Sequence, residues 1–276
     1  MFESIGRSIE LFRTSWDILM EDRKLLVFPL LSGIISLIVL ATFIIPLVIG
    51  KFFGDLFFYG ALFAFYLVSY FVVIFFNTAL ISCVNARLQG RDMPVGEGLS
   101  DALRHITPIL EWALISATVG IILQLIRERA GIFGEIAAAI AGGAWGLVTF
   151  FVVPVLVLED KGVFDAIKES TSLIRKTWGE SIIGSGSIML VFIIIGVIGF
   201  LGVLATMMLG GGVLFYLALV LFIVLVIVLA VVAAAMQGIF VTALYSYAKS
   251  GTVPAAYNKD LIQNAFVQKQ GGSGNI

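Results

Sequence analysis

The chain has 276 residues, 60% of them hydrophobic and only 13% Asp, Glu, Lys or Arg, with a formal net charge of −1. A water-soluble domain carries about 25% charged residues, so water is a poor solvent for this surface and lipid is the solvent its composition fits. The near-zero charge offers no field for nucleic acid, and the single cysteine, Cys83, excludes a structural disulfide within the chain.

Residues 1–24 are charged and interrupted, which argues against a cleavable leader. Phe2, Ile5, Ile9, Phe12, Trp16 and Leu19 recur at steps of three and four, which predicts an amphipathic helix. Its apolar face either lies on lipid, with Trp16 at headgroup level, or packs on the bundle. A membrane domain follows over 25–248, with spans expected at 25–50, 56–85, 106–126, 132–158, 181–209 and 213–247. Pro46 should kink or end the first span, and Pro154 lies near the end of the fourth. No Asp, Glu, Lys or Arg occurs between Glu180 and Lys249. As one helix this stretch would reach roughly 100 Å at about 1.5 Å per residue, so it must fold back, and Gly210-Gly211-Gly212 is the expected turn. Residues 249–276 form a tail with a Gly-rich end, expected to be mobile.

These elements predict an all-α polytopic bundle of about six transmembrane helices with amphipathic helices at the cytoplasmic interface. All Lys and Arg residues except Lys51, Arg127 and Arg129 fall on one side of that arrangement. The positive-inside bias then puts both termini in the cytoplasm of a cell-membrane protein.

An internal match adds a second expectation. Phe2, Ile5, Ser8, Leu11, Arg13 and Trp16 correspond to Phe164, Ile167, Ser170, Leu173, Arg175 and Trp178. More weakly, Gly98, Asp101, Ala102 and Thr107 correspond to Gly162, Asp165, Ala166 and Thr171. One reading is three parallel repeats, each an amphipathic helix followed by a hairpin of spans; the other is convergence of lead-in helices that share an interfacial task. Asp101 and Asp165 are expected early in their helices, where a carboxylate complements the dipole.

Chemistry-bearing motifs are sparse. No CxxC, HExxH or P-loop pattern occurs, and no cofactor or metal is expected. The one histidine, His105, stands beside Arg104 in a polar connection and is expected at solvent or the interface. The amides Asn77, Asn85, Gln124 and Gln237 are the candidate intramembrane polar residues, facing the bundle as helix–helix partners or as the lining of a solute path. Asn77 and Gln237 would share one cytoplasmic vestibule. Trp16, Trp178, Ser8, Ser170, Pro46 and Pro154 are the structural and interfacial candidates.

The stretches WDILMEDRKLLVFPLLSG (16–33), FFNTALISCVNARLQG with GEGLSDAL (75–103) and WGLVTFFVVPVLVLEDKGVFDAIKESTSLIRKTWGE (145–180) resemble a family of uncharacterised multi-pass membrane proteins of archaea and bacteria. The resemblance implies a compact helical membrane domain and assigns no activity. A more distant likeness is to membrane domains attached to some glycerophosphodiesterases, whose catalytic residues this chain lacks.

Three functions follow as expectations. The first is a non-enzymatic protein that organises or assists others in the bilayer, with lipid and a membrane-protein partner or a second copy as its contacts. The second is a channel or facilitator for a small solute or lipid-like molecule. The third is a lipid-modifying enzyme using Glu111, Glu159, Asp160 and His105, whose spacing gives no support for joint chemistry.

Overall fold

The computed structural model describes residues 13–50, 52–129, 131–177, 183–208 and 212–251, with side chains described outside 176–190. Ser8, Trp178, the Gly210-Gly211 turn and the tail after residue 251 lie outside the described residues. Among the described residues all regular structure is helical. Six helical stretches are long and apolar enough to cross a bilayer: Arg23–Gly50, Asp55–Leu88, Ile106–Arg129, Gly131–Leu158, Val191–Met208 and Gly212–Ser250. The chain is a polytopic helical membrane protein. Helices suit this solvent because each residue's N–H and C=O bond within their own segment, where lipid offers no partner.

The chain divides into two compact units. One, Val27–Arg175, holds helices α2 (Val27–Gly50), α3 (Asp55–Leu88), α4 (Val95–Arg104), α5 (Ile106–Arg129), α6 (Gly131–Val148), α7 (Val152–Leu158) and most of α8 (Val163–Thr177). α2 continues through Pro46 and ends four residues later at Gly50. The turn to α3 is closed by the Phe53 N–H donating to Gly50 O at 3.1 Å, with Gly54 at φ +97°, a conformation that glycine adopts without strain.

α3 is the centre of this unit, packing against α2, α4, α5 and α7. Its 34 residues reach about 51 Å at 1.5 Å per residue, beyond a hydrocarbon core of about 30 Å. The excess lies at its end, where residues from Ala79 to Val84 are all buried and α4 docks. Gly98 of α4 makes that approach close, since a Cβ there would stand 2.5 Å from Cys83 Sγ and 3.0 Å from Ala79 O. α5 and α6 pack as a hairpin, with Trp112 and Trp145 stacked at 5.7 Å between centroids.

The fourth span is two helices. α6 stops at Val148, residues 149–151 form a turn, and α7 carries the chain to Leu158. Pro154 lacks the N–H that would bond back to Phe150 in one continuous helix. α8 then buries Val163, Ala166, Ser170 and Leu173, a stripe at steps of three and four. Its apolar face therefore meets protein.

The other unit, Met1–Leu26 with Lys176–Ile276, holds helix α1 over residues 13–21, a 3-10 turn at Arg23–Leu26, and the hairpin α9 (Ile183–Met208) and α10 (Gly212–Ser250). Ser15, Ile18 and Leu19 of α1 are buried and Trp16 is 38% exposed, so the described part of this helix packs its apolar face on protein. α9 and α10 meet closely at Gly199, whose Cβ would stand 3.0 Å from Leu225 Cδ2. Elsewhere the hairpin presents Ile198, Leu217, Leu221 and Val224 outward, as lipid-facing surfaces should.

Candidate functional site

Polar side chains gather where α3, α4, α5, α7 and α8 end or begin. Ser82 lies 2.6 Å from Asp101 Oδ2 and 3.1 Å from Thr78 O. The shorter contact is a charge-assisted bond with the hydroxyl donating to the carboxylate. It ties α4 to α3. Asp101 is the seventh of ten residues in α4, and Glu97 occupies the first turn. The expectation that Asp101 serves the helix N-terminus is therefore corrected: its carboxylate serves Ser82. Asp165 does fall in the first turn of α8.

His105 sits at the α4–α5 junction and is buried, with 8% of its surface exposed, so of its two expected places, solvent or the interface, the solvent-facing one does not hold. Its Nδ1 lies 2.8 Å from the Asp101 carbonyl and its Nε2 lies 2.8 Å from Asp160 Oδ1. A carbonyl only accepts, so Nδ1 donates there. Asp160 itself has φ +51°, a left-handed turn that aspartate tolerates better than most residues. The His105–Asp160 contact therefore joins two connections that are 55 residues apart in sequence at one end of the bundle.

Lys161 completes the turn, pairing with Glu159 at 2.7 Å and Glu169 at 3.3 Å. The Glu159 hydrogen bond holds the lysine pKa above its usual value. Ser170 reaches from α8 into the break between α6 and α7. Its Oγ accepts from the Phe151 N–H at 3.1 Å and donates to Val148 O at 2.7 Å. It thus satisfies a donor and an acceptor that the broken helix would leave unpaired.

The four amides disperse. Asn85 accepts from Gln89 at 3.4 Å at the end of α3. Gln124 donates to Glu128 Oε1 at 2.8 Å, and Tyr59 donates to Glu128 Oε2 at 3.0 Å, closing the opposite end of the α3–α5 pair. Gln237 lines a cleft of about 510 Å³ between α9 and α10 whose other walls are apolar, among them Phe192, Gly196, Val226, Ala230 and Ala233. Asn77 does not line that cleft. Of the four residues considered for an enzyme, His105 and Asp160 meet, Glu159 is engaged by Lys161, and Glu111 is exposed. Among the described residues no group of three His, Cys, Asp or Glu side chains could hold a metal ion.

The sequence reading missed Ser82, Asp101 and Lys161 as a connected set. Only the Asp101–His105 spacing of four residues signalled that a helix face was involved. No curated protein and no solved structure matches the chain, and the likeness to glycerophosphodiesterase membrane domains finds no counterpart in the comparisons. A family profile does match, over residues 56–255, from the start of α3 to just beyond α10. The chain belongs to that family, a family of unknown function designated DUF6159.

Proposed function

We propose that the protein is a non-enzymatic, membrane-organising or accessory component of the cell membrane, with both termini in the cytoplasm, and that α4 and α8 form its fixed platform. The observation that carries this reading is where the polar contacts are spent. Ser82–Asp101 and Ser170 fasten α4 and α8 to the bundle, His105–Asp160 joins the connection after α4 to the one before α8, and Lys161–Glu169 holds α8 to its own lead-in turn. The outer face of α8 is left to present Phe164, 73% exposed, with Lys168 and Arg175. Lys168 is paired with the equally exposed Asp165 at 3.6 Å, so Arg175 carries the net positive charge of this face, and an exposed aromatic beside a cation suits an acidic protein partner or an anionic headgroup layer.

Copurification from native membranes with Phe164→Ser, Lys168→Glu and Arg175→Glu combined tests the platform. Loss of the copurifying partner or lipid with an unchanged melting temperature is the expected result; identical recovery would count against it. A facilitator for a lipid-like molecule is the second reading, favoured by the apolar α9–α10 cleft with Gln237 in its wall. Flux into vesicles should then fall in Gln237→Leu, and equal flux would end that reading. The enzyme reading draws on the His105–Asp160 contact alone, where both ring nitrogens are already engaged.

A further inference from the structure

We infer that His105 is a proton-dependent clasp. With both ring nitrogens protonated it ties the connection after α4 to the connection before α8, and loss of one proton releases that tie. Donors and acceptors balance in no other way. Nδ1 faces the Asp101 carbonyl at 2.8 Å and Nε2 faces Asp160 Oδ1 at 2.8 Å. A carbonyl and a carboxylate both accept and neither donates, whereas a neutral imidazole carries a single N–H. Neutral His105 therefore satisfies one contact and sets a lone pair against an oxygen in the other. The imidazolium donates in both.

The surroundings fit a cation. His105 is buried, and a buried charge is tolerated where it is paired and hydrogen-bonded. The Asp160 carboxylate takes one N–H, and Asp101 Oδ1 stands 3.9 Å from Nδ1. From α3 the neutral Ser82 holds the Asp101 carboxylate in place. The flanking cations are directed elsewhere. Lys161, next to Asp160, pairs with Glu159 and with Glu169 of α8, and Arg104 is exposed. α5 carries no charged residue before Glu111, which is exposed.

The two ends of the clasp differ. The ring is anchored in the protein, while the Asp160 side chain is 89% exposed on a residue with φ +51°, a conformation that is costly for most side chains. Imidazole gains and loses its second proton between about pH 5 and pH 8. The charged ring is the form that gains the partner, so the tie is present on the acid side and is lost as pH rises. The turn leading into α8 is thus held at low pH and freed at high pH. This behaviour belongs to the chain alone and needs no partner on the outer face of α8.

Because the chain has one histidine, isotope-edited spectra of the ring in lipid nanodiscs read the clasp directly. They should show N–H on both nitrogens at pH 5 and on Nδ1 alone at pH 9; a ring with its proton on Nε2 at pH 9 would overturn the proposal. A second measurement uses Asp160→Asn. Asparagine also tolerates a left-handed backbone, and its carboxamide accepts from the charged ring and donates to the neutral one. Amide exchange over residues 159–163, corrected for the intrinsic effect of pH, should quicken in the wild type between pH 5 and pH 9. The expected factor is about threefold, modest because the carboxylate stands mostly in water. In Asp160→Asn the corrected exchange should stay level. A level wild type, or the same pH dependence in both proteins, would also overturn the clasp.

Discussion

Ser170, Thr78, Gly98 and Lys161 show how differently single groups behave at one end of this bundle. Ser170 holds two backbone groups of a broken helix, so Ser170→Ala should cost about 1–3 kcal/mol, seen as a lower melting temperature in detergent. Thr78 is the opposite case. Among the described residues its Oγ1 is the buried side-chain polar atom without a hydrogen-bond partner, so Thr78→Val should leave the melting temperature unchanged or raise it. Gly98→Ala sets a methyl against Cys83 Sγ and Ala79 O and should cost about 1–3 kcal/mol. Adding Cys83→Ala should recover part of that loss, because the sulfur is the nearer obstacle. Lys161 gives a pH prediction with a definite sign. Its pKa is raised above 10.5 by Glu159, so its contribution is present below the ordinary lysine pKa and is lost as pH rises through the raised value. Stability attributable to Lys161, read as the difference between the wild type and Lys161→Met, should therefore be flat from pH 6 to pH 9. Sequence placed Ser170 in a matched pair with Ser8 but held no sign of its partners, Val148 and Phe151, because they lie across a helix break in three dimensions.

At the level of elements, the break between α6 and α7 separates two causes that sequence merges. Pro154 is the third residue of α7, where an N–H would have no helical partner in any case. Pro154→Ala should therefore cost under about 1 kcal/mol, less than Ser170→Ala, in the same denaturation series. Amphipathic helices were legible from their spacing, but whether their apolar faces met lipid or protein was not, since a three-and-four pattern serves both. The buried Ala166, Ser170 and Leu173 of α8 and Ile18 and Leu19 of α1 decide for protein. Most of the stronger internal match, residues 2–12 and Trp178, lies outside the described residues; in the weaker one Ala102 and Ala166 are buried alike, while Gly98 abuts Cys83 and Gly162 faces open space.

For the whole molecule, the bilayer itself made the fold legible. A fixed hydrocarbon thickness sets span length, and charge is confined to the connections, so six crossings could be counted from composition along the chain. What joins connections 55 residues apart, such as His105 with Asp160, has no local pattern and needed the structure. The central claim is a six-span protein whose α4 and α8 platform faces the cytoplasm. Cysteine accessibility in intact cells tests it most directly, using single cysteines at Asp92, Lys168, Phe53 and Phe133 in the Cys83→Ala background with a membrane-impermeant maleimide. The account predicts labelling at Phe53→Cys and Phe133→Cys in intact cells, and at Asp92→Cys and Lys168→Cys only after permeabilisation. Labelling of Asp92→Cys or Lys168→Cys in sealed cells, or opposite behaviour of those two sites, would contradict it.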